Sequence, residues 1–412
     1  MNIANFIFYV LLFIGFFLPT NSSLNISLPG VSIFVNELAF LLLPVVNLFC
    51  TNKSKKIQIG LKISKYIILY LILVFLTEFI FKSIVFNQSI GDGFKAFRIG
   101  IPFYSSILLL YSGFKADIKI IWKIILWAVV ISVLLSIISL YIDLPIYSDT
   151  EDMSVLEFNQ GRVVNSNAAF GIIGLYLLFA DKDKWYNQGK LVKYASILSV
   201  IALVLSFNRT YLALMVLEFA YLAYKTLTFN SIFKILVYPF VFLIVTFIAY
   251  NNNVLIQRQI DNRILSILFE EQTLAESAID GNRDMIYEGM LSRIEEGYWV
   301  IGLPYNEPIF LNNSAYVAND VPMSVTDTSP INVLLRYGII PLLFWLLILK
   351  TMFKKNKSLF FRTALIIYAV ASLNLDALFR HNSILFLIII FYLTILPLHE
   401  KNYFYSKNGF KQ

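Results

Sequence analysis

The sequence predicts an all-α integral membrane protein with about twelve transmembrane helices and one large loop late in the chain. Of its 412 residues, 58% are hydrophobic and 14% are charged. Soluble domains are about 45–50% apolar and about 25% charged. The apolar runs are unbroken, whereas β-barrel strands alternate apolar and polar residues. The spans are therefore expected to be helices.

A helix that crosses a membrane needs roughly 20 apolar residues. On this criterion the candidate spans are residues 3–19, 32–50, 66–86, 99–113, 120–142, 168–180, 194–208, 210–226, 232–250, 331–349, 363–379 and 383–398. No basic segment or small-x-small cleavage site accompanies the first, which predicts a retained span rather than a signal peptide. The chain thus divides into nine spans (1–250), the large loop (251–330), and three spans with a tail (331–412).

Basic residues in short loops predict the orientation of the spans. Lysines concentrate in the loops 51–65, 181–193 and 350–362, which alternate with lysine-poor loops. Placing the lysine-rich loops inside makes both termini cytoplasmic and puts residues 251–330 outside. Only Lys82 and Lys95 are then outside lysines.

The arginines follow the opposite distribution, since Arg362 alone lies inside. The outward arginines are Arg98, Arg162, Arg209, Arg258, Arg263, Arg283, Arg293, Arg336 and Arg380. A guanidinium presents a planar fork of donors that suits phosphate, which predicts a phosphate-bearing substrate at the outer leaflet. The alternative is that some of these side chains snorkel or pair with acidic residues.

The net charge of +7 does not predict a nucleic-acid partner, because the basic residues are sorted by membrane side. The single cysteine, Cys50, cannot form an internal disulfide or a thiolate cluster. The two histidines, His381 and His399, lack metal-ligand spacing. We therefore expect neither a metal nor another cofactor.

Two polar segments place arginines where an anion could bind. Arg209 follows Ser206-Phe207-Asn208 at a tight turn between two spans, and the alternative is a topological stop with a snorkelling arginine. Arg283 follows Asp280 and Asn282, either of which could cap a helix and create an anion site at its N-terminus. The alternative is an amphipathic helix lying on the membrane.

Three further segments project to the same side. Asp327 lies just before the tenth span, where it could act as a general base or simply cap the helix that carries Arg336. Lys95 and Arg98 precede the fourth span. Arg162 and Asn167 open the sixth.

The order of these segments resembles the bacterial O-antigen polymerase and ligase superfamily. The similar motifs are Gly161-Arg162 with Asn165-Ser166-Asn167, Ser206 to Thr210, Gly281-Asn282-Arg283 through Gly302, and Asp327-Thr328-Ser329 through Gly338. The resemblance implies a metal-independent, membrane-embedded C-type glycosyltransferase fold in the inner (cytoplasmic) membrane. It implies an undecaprenyl-diphosphate-linked glycan as substrate, membrane lipid around it, and a polysaccharide chain-length regulator as a further partner.

The resemblance and the outward distribution of arginines together predict roles for individual residues. The predicted catalytic residues are Arg209, Arg283 and Asp327, the two arginines contacting the diphosphate. The predicted substrate-binding residues are Lys95, Arg98, Arg162, Asn167, Arg293, Arg336 and Arg380. The ligases carry a histidine where this chain has Asp327, which favours a polymerase that extends lipid-linked repeat units.

Two alternatives remain open. A ligase that transfers glycan to the lipid A core is disfavoured by the missing histidine. A flippase or other transporter would carry ionisable residues in mid-span, and these spans contain almost none.

Overall fold

The protein is described from a computed structural model that covers residues 2–18, 24–28, 31–51, 61–140, 142, 144, 163, 166–225, 247, 250–251, 254–261, 278–312, 321–323, 329–374 and 383–395. These residues are predominantly helical, which confirms the all-α prediction. Two short hairpins are the only sheets among them.

The helices of the first part of the chain are α1 (Ile3–Phe17), α2 (Val35–Phe49), α3 (Leu61–Leu76), α4 (Lys82–Phe86), α5 (Ile90–Ile99), α6 (Ile101–Ser112) and α7 (Ile118–Ile138). A π-helical turn, Thr77–Phe81, joins α3 to α4. Strands β1 (Asn25–Leu28) and β2 (Val31–Phe34) form one hairpin.

The later helices are α8 (Phe170–Phe179), α9 (Lys190–Leu205), α10 (Arg209–Lys225), α11 (Val254–Ile260), α12 (Ala278–Glu295), α13 (Ser329–Tyr337), α14 (Ile339–Lys355), α15 (Leu359–Asn374) and α16 (Ser383–Ile395). Short 3₁₀ turns occupy Ser166–Ala169 and Trp185–Asn187. Strands β3 (Phe310–Asn312) and β4 (Val321–Met323) pair antiparallel, with Phe310 opposite Met323.

Two helical segments of the described chain are long and apolar enough to cross a membrane. They are Ile63–Phe86, which includes the π turn, and Ile118–Ile138. Shorter apolar helices overlap most of the other predicted spans, while the predicted span 232–250 lies almost entirely outside the described residues. The predicted span 331–349 is not a single helix, because Gly338 separates α13 from α14 with a φ of +86°.

The chain forms two compact units. The first comprises residues 1–15, 27–124 and 282–412, and the second comprises residues 16–26 and 125–281. In the first unit, α3, α6 and α14 meet through large aromatic side chains. The ring centroids of Phe103 and Trp345 are 4.8 Å apart, and that of Tyr70 is 5.8 Å from Phe103. Edge-to-face aromatic packing of this kind supplies both buried area and a defined geometry.

In the second unit, α8 and α9 cross at unusually close range. A Cβ added to Gly171 would lie 2.5 Å from the backbone oxygen of Ser199, and one added to Gly174 would lie 2.9 Å from Ser196 Cα. Small residues allow helix backbones to approach where apolar surroundings give no other driving force for association. The two glycines therefore determine the spacing of these helices.

We expect Gly171→Ala to destabilise the protein by about 1–3 kcal/mol, because the added methyl group forces α8 and α9 apart. Gly91→Ala in α5 is the matched control, since the nearest atom to its new Cβ would be 3.7 Å away. The thermal unfolding of both purified variants in detergent micelles measures the difference. Equal unfolding temperatures would show that the crossing tolerates separation.

Candidate functional site

A polar loop of the first unit, Gly302–Pro308 (loop 302–308), rests against the junction of α13 and α14. The Leu303 amide donates a hydrogen bond to the Leu335 carbonyl at 2.6 Å, and the Ile339 amide donates to the Trp299 carbonyl at 2.8 Å. Leu303 is fully buried against Leu335 in a small apolar cluster with Met290 and Ile309. The loop is thus fixed by backbone bonds and by a core of its own.

Glycine is required at both contact points between the loop and this junction. Gly302 has a φ of +95°, and a Cβ there would lie 2.3 Å from the Arg336 carbonyl oxygen. Gly338 has a φ of +86°, and its Cβ would lie 2.3 Å from the Val300 carbonyl oxygen. A Cβ at either position would overlap a backbone carbonyl oxygen, and the positive φ would add conformational strain.

Three cationic side chains predicted to bind substrate surround loop 302–308. Lys95 Nζ lies 5.8 Å from the centroid of the Tyr305 ring. Arg293 Nη2 lies 3.6 Å from Glu307 Oε2. Arg336 Nη1 donates to the Pro304 carbonyl at 3.4 Å. Residues from three separate segments thus converge on one short loop.

Two of these cations have carboxylate partners. Lys95, whose side chain is 52% exposed, pairs with Asp92 at 3.3 Å, and Arg293, 21% exposed, pairs with Glu296 at 2.8 Å. The hydrogen bond from Ser89, with help from Lys95, lowers the pKa of Asp92, and the hydrogen bond from Arg293 lowers the pKa of Glu296. Any stability these carboxylates add is present at neutral pH and is lost as the pH falls through their lowered pKa values.

A buried ion pair lies in the same unit, on the π turn and the start of α4. Glu78 and Lys82 bond to each other one turn apart, and both side chains are 0% exposed. Lys82 Nζ also lies 5.9 Å from the centroid of the Tyr337 ring. Arg336 is close enough to interact electrostatically with both charges. A charged side chain is costly to bury unless it is paired, and Glu78 and Lys82 pair with each other.

Gln88 joins this ion pair to loop 302–308. Its Nε2 donates to the Glu78 carbonyl at 3.1 Å and approaches Glu78 Oε2 at 3.5 Å, while its Oε1 accepts from the Tyr305 amide at 2.8 Å. A second bond between the same segments runs from Asn306 Nδ2 to Asp92 Oδ2 at 3.3 Å. The loop is therefore anchored to this segment at two points.

Among the other predicted arginines, the backbones of Arg98, Arg209 and Arg283 are described. Arg209 is the first residue of α10, after a turn in which Phe207 has a φ of +48° and Asn208 Oδ1 accepts from the Tyr211 amide at 3.2 Å. The predicted tight turn is thereby confirmed. Arg98 lies in the last turn of α5. The side chains of Arg98, Arg209 and Arg283 lie outside the described residues, as do Arg162, Asp327 and Arg380 entirely.

The capping prediction for Arg283 is wrong. Helix α12 begins at Ala278, so Asp280 and Asn282 lie inside it and Arg283 follows its first turn. Gly281 does not interrupt the helix, and Met290 on a later turn packs into the apolar cluster beneath the loop. Arg283 is thus presented from a helix interior, not from a helix N-terminus.

Asn167 has a structural position. It is buried, and its Nδ2 donates to the Phe16 carbonyl and to Ser132 Oγ, the latter at 3.1 Å. Both amide hydrogens are used within the second unit. Asn167 therefore connects two parts of this unit, and its predicted contact with substrate stays a prediction.

Glu78, Gln88 and Tyr305 are not among the residues predicted from the sequence, and Lys82 was predicted only as an outside lysine. The available signal was a glutamate and a lysine four residues apart within the apolar run 66–86. Ionisable residues inside an apolar span indicate a functional site by default. In the described part of the chain, no cluster of three or more His, Cys, Asp or Glu side chains could hold a metal.

Cations from three segments contact one loop, and a buried ion pair lies nearby. Exposed ion pairs contribute only about 0–1 kcal/mol, so a phosphate can replace the carboxylate partners of Lys95 and Arg293 at little cost. No family model and no curated protein matches the chain.

We expect Gly302→Ala to release loop 302–308, because the new methyl group would overlap the Arg336 carbonyl in addition to the strain of a positive φ. Gly297→Ala is the matched control: its φ is +87°, but nothing lies within 4 Å of the new Cβ. Both variants carry roughly 1–2 kcal/mol of backbone strain, and the overlap adds about 1–3 kcal/mol to Gly302→Ala alone. Limited proteolysis of the membrane-embedded protein measures loop release, and equal cleavage of both variants would contradict the docking.

Proposed function

We propose that this protein is an O-antigen polymerase, a glycosyltransferase that joins undecaprenyl-diphosphate-linked repeat units at the outer face of the bacterial inner membrane. The observation that carries the proposal is the convergence of Lys95, Arg293 and Arg336 on loop 302–308. Clustered guanidinium and ammonium groups suit a diphosphate. The two long apolar helices support a membrane location.

The chemistry needs little beyond this charge. An acceptor hydroxyl forms a bond to the anomeric carbon of the donor sugar while the bond from that carbon to the diphosphate oxygen breaks. The lipid diphosphate leaves with the electron pair, and the cations stabilise its developing negative charge. The hydroxyl proton passes to a base, for which Asp327 is our candidate, with a purely capping role as its alternative.

In the resemblance, Arg209 and Arg283 contact the leaving diphosphate, and Lys95 and Arg98 match a basic pair near it. Arg293 and Arg336 are proposed to bind the substrate beside loop 302–308. Arg162 and Arg380 are proposed as further outward cations that bind the substrate. Both termini are proposed to lie in the cytoplasm, and a polysaccharide chain-length regulator is the proposed partner.

We expect Arg209→Ala, Arg283→Ala and Arg336→Ala each to reduce polymer formation by about 10- to 100-fold, because each removes a charge-assisted contact of about 1.5–3 kcal/mol. Lipopolysaccharide banding in a deletion strain complemented with each variant measures polymer length, and immunoblotting of membranes checks insertion. Arg362→Ala is the matched control, since its guanidinium instead bonds to the Asn356 carbonyl and lies over Phe353. Near-normal banding for both Arg209→Ala and Arg283→Ala would contradict the proposal.

A specific observation favours a second candidate, a transporter of lipid-linked glycans. Glu78 and Lys82 lie buried within the candidate span Ile63–Phe86, and Glu218 is buried in the apolar helix Thr210–Leu222. Among the described residues, Glu218 Oε1 has no hydrogen-bond partner. Transporters place ionisable residues inside their spans, and these three residues are exceptions to the expectation that the spans contain almost none.

The phenotype of a deletion strain separates the candidates. Loss of a polymerase leaves a single repeat unit on the lipid A core, and we expect this result. Loss of a transporter or a ligase leaves the core without any repeat unit. The location of residues 278–312 is the control. Cysteines are introduced there in a Cys50→Ser background and labelled with a reagent added from outside the cell membrane. A cytoplasmic location would exclude a periplasmic active site.

A further inference from the structure

The Gln88 side chain occupies a position that requires both a donor and an acceptor. It is 8% exposed and lies between the Glu78 segment and loop 302–308. Its amide nitrogen donates to the Glu78 carbonyl, and its oxygen accepts from the Tyr305 amide. A leucine would leave that backbone amide without its partner, at a cost comparable to a lost hydrogen bond. A glutamate would face the Glu78 carboxylate at about the 3.5 Å now spanned by Nε2 and Oε2.

The surroundings hold Gln88 in this geometry. Asn87 adopts a φ of +54° and ends α4, which lets the Gln88 amide donate to the Lys82 carbonyl at 3.3 Å. A Cβ on Gly93 would lie 2.9 Å from the Glu78 carbonyl, so α5 packs directly against the same π turn. The Lys82 ammonium fixes one oxygen of Glu78, which leaves the other facing Gln88. The Glu78 oxygens that face the Gln88 amide are thereby held in place. The bonds from Glu78 through Gln88 to Tyr305 are called the link below.

The link ends where the predicted substrate-binding cations converge. Tyr305, which donates to Gln88, carries the ring beneath Lys95, and the preceding residue, Pro304, supplies the carbonyl that Arg336 contacts. A shift of this segment would move it away from both cations at once. Misplacement of about 1 Å is enough to cost roughly 100-fold in rate at a catalytic site.

We propose that Gln88 is a positioning residue that holds loop 302–308 against the buried Glu78–Lys82 pair, and that the pair exists to anchor this link. The proposal has a second part, which is that the held loop presents Lys95 and Arg336 to a diphosphate. This second part rests on the proposed function. The first part is a statement about loop position alone. The two parts therefore need separate readouts.

The position of the loop is measured by cross-linking in the full-length protein in membranes. Cysteines replace Asp92 and Asn306, whose side chains are in contact, in a Cys50→Ser background that removes the only native thiol. A short bis-methanethiosulfonate reagent is the probe. We expect Gln88→Ala to lower the cross-linking rate about tenfold, the effect of losing one buried hydrogen bond. Gln188→Ala is the matched control, because Gln188 is exposed and its side-chain amide donates to the Asp183 carbonyl at 3.4 Å.

An exchange of charge tests the chemistry of the link. Gln88→Glu alone should lower the cross-linking rate, because two carboxylates then face each other. Combining it with Glu78→Gln should restore part of the rate, because an amide and a carboxylate again meet and the carboxylate still accepts from Tyr305, while the lost partner of Lys82 keeps the rate below that of the parent protein. Recovery in the double variant also shows that the loss in Gln88→Glu is not general misfolding.

The outcomes separate the two parts of the proposal. An unchanged cross-linking rate in both Gln88→Ala and Gln88→Glu overturns the positioning role, whatever the polysaccharide phenotype. A lower rate together with shortened polysaccharide in the same Gln88 variants, tested without the cysteines, supports both parts. A lower rate with normal polysaccharide supports the positioning role and overturns its connection to the diphosphate.

Discussion

The buried ion pair between Glu78 and Lys82 is the interaction on which the first unit's site depends. Removing two charges from water costs several kcal/mol per ion, which is recovered only with good geometry and further hydrogen bonds. Here the π turn brings the two side chains together, and Gln88 adds a bond to the carboxylate. A π turn inserts a residue into a helix and is frequent at functional sites. Because Gln88 connects the Glu78 carboxylate to the Tyr305 amide, the pair supports loop 302–308 as well as its own helix.

The site combines rigid backbone with adjustable side chains. Gly302 and Gly338 bring the loop and the α13–α14 junction into direct backbone contact, which leaves little freedom to shift. Lys95 and Arg293, in contrast, hold partners that water already screens. A ligand can therefore exchange those partners without deforming the loop. This division is what preorganised recognition of a charged group requires.

The sequence predicted the class of fold and part of the site, because both depend on local pattern. Apolar runs predicted helices, and the polar interruption at 206–208 predicted the turn before Arg209. The break at Gly338 could not be predicted, since a single glycine in an apolar run reads as continuous helix; its reason is the distant Val300 carbonyl. The role of Gln88 was equally hidden, because its partner Tyr305 lies far along the chain.

The position of the buried charges bears on the choice between the two candidate functions. A transporter uses mid-span charges as exchangeable sites, so their partners must be able to change. Glu78 is bonded to Lys82 and Gln88, and both its segment and Gln88 are packed beneath a loop held by backbone contacts. Releasing Glu78 would require breaking several bonds at once. The pair therefore fits a fixed support for an outer-face site better than a carrier. Among the described residues, Glu218, whose Oε1 has no hydrogen-bond partner, retains the character of an exchangeable site.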